Sequence, residues 1–172
     1  TILFWWRHDK PQLLDLALAK GYSVVVCPRL PLYLDFVQDA SHKLGRKWID
    51  KYNDVLSVYQ FPGNSVFASN PLVKGLQGNL WTETIYNDQR LDFMVFPRIA
   101  AVAEAGWTKQ ENKNDDLFLK FVKNELKLYK KQGIYYFDPF NEELPKKVEN
   151  PAKDKVDYVD PFAAEKKLGK QN

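Results

Sequence analysis

Two short patterns in the 172-residue sequence set an aromatic ring two positions before a carboxylate, Tyr33-Leu34-Asp35 and Trp81-Thr82-Glu83. On extended backbone, side chains at i and i+2 point to the same side, so each pattern offers a ring and an acid to one surface. A third aromatic pair, Trp5-Trp6, closes the apolar run that opens the sequence. Neighbours on a strand face opposite ways, so only one of these two indoles can share that surface. Rings beside carboxylates suit a sugar. A pyranose packs its C–H face on an indole, and its hydroxyls donate to charged acceptors. Each pattern taken singly has a plainer use: a tryptophan in the core, or an aspartate bonding its own backbone in a turn. Other chemistries find little support. Cys27 is the single cysteine and rules out a disulfide within the chain, while His8 and His42 are too few and too far apart for a metal site. No metal and no cofactor is expected. The net charge of +3 is dispersed, without the basic stripe that a nucleic-acid partner requires. No apolar run approaches the roughly 18 residues that span a bilayer.

Strands and helices alternate ahead of these residues. The first strand is expected over Ile2–Trp6, followed by a helix with Asp9 as its cap, Pro11 in its first turn and Gly21 beyond its end. The second strand is Tyr22–Cys27, whose Val-Val-Val run is apolar on both faces, as in a covered parallel sheet. From Arg29 to Asn70 no period is sustained, which predicts loop with short helices. The third strand lies near Lys74–Trp81, where Gly75 and Gly78 predict a bulge or close packing. A helical stretch from Gln89 to Gly106 is interrupted by Pro97. A second helix, Leu117–Gln132, carries Leu117, Phe121 and Leu128 on one face and stops at Gly133. Residues 134–172, rich in Lys, Glu, Asp and Pro, read as a tail or linker.

Three strand–helix units predict an α/β fold with a parallel sheet. They fit a doubly wound sheet or the C-terminal portion of a (β/α)8 barrel, with residues 1–133 as the barrel part. Both architectures bind ligands beyond the C-terminal ends of their strands, where the paired aromatic and acidic residues fall. Such a portion leaves two open sheet edges, and a sequence opening directly on a strand reads as a piece of a larger domain. The remainder of that domain is its first expected partner.

Five segments in order carry a resemblance: Phe4-Trp5-Trp6-Arg7-His8-Asp9, Val26-Cys27-Pro28 with Tyr33-Leu34-Asp35, Gly78-Asn79-Leu80-Trp81-Thr82-Glu83-Thr84, Leu91-Asp92-Phe93-Met94-Val95-Phe96-Pro97-Arg98, and Ala103-Glu104-Ala105-Gly106-Trp107. Together they resemble the C-terminal part of the catalytic barrel of family 20 glycoside hydrolases, the β-N-acetylhexosaminidases, in a bacterial, Bacteroides-like form. The resemblance covers about residues 2–107. It implies an exo-acting hydrolase of N-acetylhexosamine-containing glycans, periplasmic or secreted, that works by substrate assistance. In that scheme the 2-acetamido oxygen of the substrate attacks the anomeric carbon.

The resemblance also implies roles. Tyr33 matches the tyrosine that donates to the acetamido carbonyl, and Trp81 the indole beneath the sugar ring. Glu83 matches the carboxylate that holds the C4 and C6 hydroxyls, and Asp35 one that reaches the C6 hydroxyl. Trp6 matches the wall of the acetamido pocket, with Trp5 as its rival by one step of register. The family's Asp-Glu acid pair has no counterpart here, since Asp115-Asp116 and Glu142-Glu143 stand in the wrong context. A general acid is expected upstream, and these residues alone are expected to be inactive. A non-catalytic, carbohydrate-binding barrel homologue is the alternative. Arg98 and Glu104 are expected to form a structural ion pair or capping network, and Cys27 to act as a small buried apolar residue.

Overall fold

The structure, a computed structural model, describes residues 1–42, 45–47 and 51–142. Its elements are β1 (Ile2–Trp5), α1 (Pro11–Ala19), β2 (Ser23–Val26), α2 (Arg29–Leu32), α3 (Val55–Gln60), β3 (Val73–Leu76), α4 (Asp88–Val95), α5 (Arg98–Trp107) and α6 (Asp115–Gln132). Among the described residues the strands form one sheet in the order β1-β2-β3, with both pairings parallel. Val24 and Val26 of central β2 are buried and pack with Leu14 of α1, as expected of a strand covered by a helix.

The glycine-rich third strand shows both expected features. A register shift opposes Val24–Val25 to Val73 and Gly75. At Gly78 a Cβ would stand 3.2 Å from Val102 Cγ2, so α5 lies close against the chain there. Regular pairing stops at Leu76, short of the expected Trp81. Beyond it, Leu34 donates to the Asn79 carbonyl at 2.6 Å and Asn79 donates to the Leu32 carbonyl at 2.9 Å. These two bonds hold the segments that carry Tyr33 and Trp81 side by side.

Two expectations about helices are corrected. Asp9 does not cap α1; Lys10 occupies the N-cap position without a side-chain bond. Asp9 accepts instead from Arg7 and Arg29, and charge-assisted bonds to two guanidinium groups outweigh one backbone N–H. In α6 the buried face is Phe118, Val122, Leu126 and Tyr129, whereas Leu117, Phe121 and Leu128 are exposed. Both faces are apolar in sequence, and Tyr59 decides between them by stacking on Phe118 with ring centres 3.9 Å apart. The ends of α6 follow expectation. Asn114 accepts from the Leu117 N–H at 3.0 Å, and Gly133 takes φ +74° where the helix stops.

The largest core lies between α3, α5 and α6, from Val55, Val58 and Tyr59 to Ala101, Phe118 and Val122. Polar bonds seal the α3–α6 contact. Lys113 Nζ donates to the carbonyls of Tyr59 and Phe61 at 2.7 and 2.8 Å, and the Asn114 N–H donates to the Tyr59 hydroxyl at 2.9 Å. Residues 134–142, the start of the expected tail, pack back on this body. Phe137 is buried and donates its N–H to the Phe96 carbonyl at 3.2 Å. The rest of that tail lies outside the described residues. Among the described residues, no helix is long and apolar enough to cross a membrane.

Candidate active site

Trp6, Tyr33, Asp35, Trp81 and Glu83 all follow the C-terminal ends of their strands. Packing separates the two indoles at the first strand. Trp5 turns toward the helical layer, where its indole N–H donates to the Lys10 carbonyl at 3.3 Å and its ring meets Phe67 edge-on at 6.0 Å. Trp6 turns the other way and packs against Tyr33, Phe36 and Leu30. The central guanidinium carbons of Arg7 and Arg29 lie 5.3 and 5.4 Å from its ring centre. Asp9 holds both arginines, which keep its carboxyl well below the ordinary carboxylate range.

Tyr33 and Asp35 are buried at 6% and 1% exposure, while Trp81 and Glu83 are about half exposed. A buried phenol and acid thus meet an exposed indole and acid. Burial pushes the Tyr33 hydroxyl above its usual pKa, with the Trp81 side chain pulling the other way by hydrogen bonding. Asp35 is pushed up to about 6, chiefly by burial. The Arg46 charge and the backbone N–H groups of Asp35 and Trp81 oppose this, and the Glu83 charge adds to it. Neither Asp35 carboxylate oxygen accepts a well-aligned hydrogen bond among the described residues.

Arg46, which the sequence reading passed over, joins the two acids. Its Nε stands 3.3 Å from Asp35 Oδ2, and its Nη2 donates to Glu83 Oε1. Its backbone is tied in as well: the Arg46 N–H donates to the Asp35 carbonyl at 3.0 Å, and its carbonyl accepts from Val37 at 2.8 Å. Gly45 makes this approach possible. At φ +131° it takes a backbone conformation that other residues rarely adopt, and a Cβ there would lie 2.8 Å from Val37 Cγ1. The only hint in sequence is a glycine before an arginine.

Arg98 is not paired with Glu104, as was expected. It is fully buried and its guanidinium donates to four carbonyls, those of Phe36, Asn53, Leu34 and Met94. Glu104 accepts from the Thr108 hydroxyl at 2.7 Å. Two of the four acceptors flank Asp35, so Arg98 fixes the backbone that carries the acid. Asn53 shares this task, its amide donating to the carbonyls of Arg29 and Tyr33 at 2.8 and 2.9 Å. Cys27 is buried as expected, and burial raises its thiol pKa. Among the described residues, no cluster of His, Cys, Asp and Glu could hold a metal ion.

Residues 1–110 match the glycosyl hydrolase family 20 catalytic domain. The chain belongs to that family. It is 34% identical over 127 residues to a β-hexosaminidase of Vibrio vulnificus, covering 62% of this chain and 15% of that protein. Among solved structures, a family 20 exo-β-N-acetylglucosaminidase of Vibrio harveyi in complex with N-acetylglucosamine superposes with a TM-score of 0.67 at 29% identity. That alignment covers 81% of this chain and 22% of the other. The family 20 β-N-acetylhexosaminidase of Streptomyces coelicolor gives 0.69 at 26% identity, covering 80% and 29%. The chain therefore spans well under a third of the relatives it matches. Its three parallel strands with their helices are part of a (β/α)8 barrel, which settles the choice between barrel and doubly wound sheet.

Proposed function

We propose that this chain is the C-terminal part, residues 1–133, of the catalytic barrel of an exo-acting β-N-acetylhexosaminidase, followed by a tail over residues 134–172. It supplies half of the subsite for a terminal N-acetylhexosamine, and the general acid comes from the remainder of the same domain. The observation that carries this reading is the convergence of Tyr33, Asp35, Trp81 and Glu83 beyond the ends of adjacent strands in a family 20 domain. A β-hexosaminidase among the relatives, and another relative's complex with N-acetylglucosamine, support the substrate class.

In this reading the Trp81 indole lies under the apolar face of the sugar and Trp6 walls the acetamido pocket. The Tyr33 hydroxyl donates to the acetamido oxygen. That oxygen gains charge as it attacks the anomeric carbon, so the bond is worth more in the transition state than in the bound substrate. Glu83 and Asp35 accept from ring hydroxyls in both states, so they contribute to binding throughout.

The test is steady-state kinetics of the full-length protein on an aryl N-acetyl-β-glucosaminide. Tyr33→Phe is expected to lower kcat by about 10²–10³, the usual cost of one oxyanion-stabilising donor. Glu83→Gln is expected to show part of its loss as a raised KM. A kcat for Tyr33→Phe within about threefold of the parent, well under 1 kcal/mol, removes Tyr33 from the chemistry. A protein that binds the sugar without hydrolysing it is the non-catalytic homologue.

A further inference from the structure

We propose that Arg46 is a positioning residue for the sugar, one guanidinium that holds the Asp35 and Glu83 carboxylates of two separate strand–helix loops in fixed relation. The inference rests on the sugar-site reading above and adds to it the residue that sets the spacing of the two acids.

The geometry is specific to this residue. Its backbone bonds on both sides to the 35–37 segment, so the side chain starts from a fixed point. Its Nε addresses Asp35 and its Nη2 addresses Glu83, so separate nitrogens of one planar group serve the two acids. Planar, delocalised guanidinium suits such a fork, whereas an ammonium is a single point charge. The contact to Asp35 uses Oδ2, and Oδ1 accepts no well-aligned bond among the described residues. A donor from a bound hydroxyl would complete it.

The charges explain why a cation is needed there. Asp35 is nearly fully buried, and Glu83 is a like charge that disfavours its ionisation. The groups facing Asp35 are Arg46 and Glu83 at the site, Tyr33 on its own segment, and Arg98 from α5 behind it. Arg98 is committed to four carbonyls. Arg46 alone of these touches both acids. Without it Asp35 would take up a proton and lose its acceptor function, and half-exposed Glu83 would be free to turn to water.

The experiment uses the full-length protein and an aryl N-acetyl-β-glucosaminide, comparing parent, Arg46→Met and Arg46→Lys. Arg46→Met keeps the length of the stem and removes the charge. Because hydroxyl contacts exist in bound substrate and transition state alike, KM should rise about tenfold or more while kcat stays within about threefold. The acid limb of kcat/KM should move to higher pH, as Asp35 loses its counter-ion. Arg46→Lys should restore the pH limb in part and leave KM intermediate, since an ammonium cannot span both acids.

An Arg46→Met KM within twofold of the parent, with an unmoved acid limb, overturns the proposal. Should Arg46→Met fail to fold, Arg46→Lys decides: a parental KM overturns the proposal, and a KM raised several-fold at unchanged kcat supports it. A parent that does not hydrolyse the glycoside refutes the enzymatic reading instead. Arg46 is then judged by N-acetylglucosamine binding, followed through tryptophan fluorescence. Weaker binding by the variants sustains its role, and equal or absent binding ends it.

Discussion

Arg98 and Asp35 are both almost wholly removed from water, and they are treated in opposite ways. Arg98 directs its guanidinium at four backbone carbonyls. Asp35, one residue along from two of those acceptors, has an ion pair on one oxygen and, among the described residues, no well-aligned hydrogen bond on either. Burial costs both groups. It holds Arg98 down to about 9 and pushes Asp35 up to about 6. A buried charge whose two terminal nitrogens hold four carbonyls is a structural tie. One left short of donors stores a demand that a ligand can meet. Arg98 bonds the carbonyls of Leu34 and Phe36, so it fixes the backbone on which the Asp35 carboxylate is presented.

The contrast can be tested from both ends. The largest effect is expected from Arg98→Met, which leaves four buried acceptors without their donor and should cost about 3–5 kcal/mol, enough to unfold a marginal protein. Thermal melting followed by circular dichroism reads it. A melting temperature within a few degrees of the parent would mean that the carbonyls find other donors.

Asp35→Asn should do the reverse. Its raised pKa means that the charged form is penalised in the folded state, a penalty present above about pH 6 and gone below about pH 4. The variant should therefore be more stable than the parent at pH 8, by roughly 2–3 kcal/mol, and the gain should vanish near pH 4. It should also bind the sugar less well. Greater stability with weaker binding is the signature of a functional charge, whereas lower stability at pH 8 would place Asp35 with Arg98 among the structural ties.

A smaller effect comes from His42, held down to about 3 chiefly by burial, with the Arg98 and Arg90 charges adding to it. Its ring packs against Phe93 and Phe137 at 4.9 and 4.7 Å. A depressed histidine pKa gives stability that is complete above the unfolded value of about 6.5 and is lost as the pH falls toward 3. At pH 5 this amounts to roughly 2 kcal/mol. His42→Phe should lose less stability than the parent between pH 7 and pH 5 in the same melting assay, and equal losses would show that His42 does not control that limb.

Much of the site was legible because its signals are local. An aromatic residue and an acid two positions apart, after a strand, are visible in any extended segment, and the two glycines of the third strand announced its bulge. What escaped notice was long-range. Arg46 meets Glu83 across 37 positions and Arg98 meets Leu34 across 64, and no spacing rule connects such pairs. Arg98 does not pair with Glu104 because buried carbonyls of other segments take its guanidinium. The face of α6 was misjudged because two apolar stripes compete in its sequence, and only the Tyr59 ring chooses between them. Asp9 has a cap's residue type, but Arg7 and Arg29 claim it.

The match to the family 20 catalytic domain ends at residue 110, three residues before Lys113 anchors α6 to the carbonyls of Tyr59 and Phe61. A gene cut at that point would discard Phe118, Val122, Leu126 and Tyr129 and leave Val58, Tyr59 and Ala101 facing water. For anyone grafting this candidate half-site onto another barrel, the 18-residue helix α6 travels as part of the scaffold, together with Ile134, Tyr136, Phe137 and Phe140 that pack behind it.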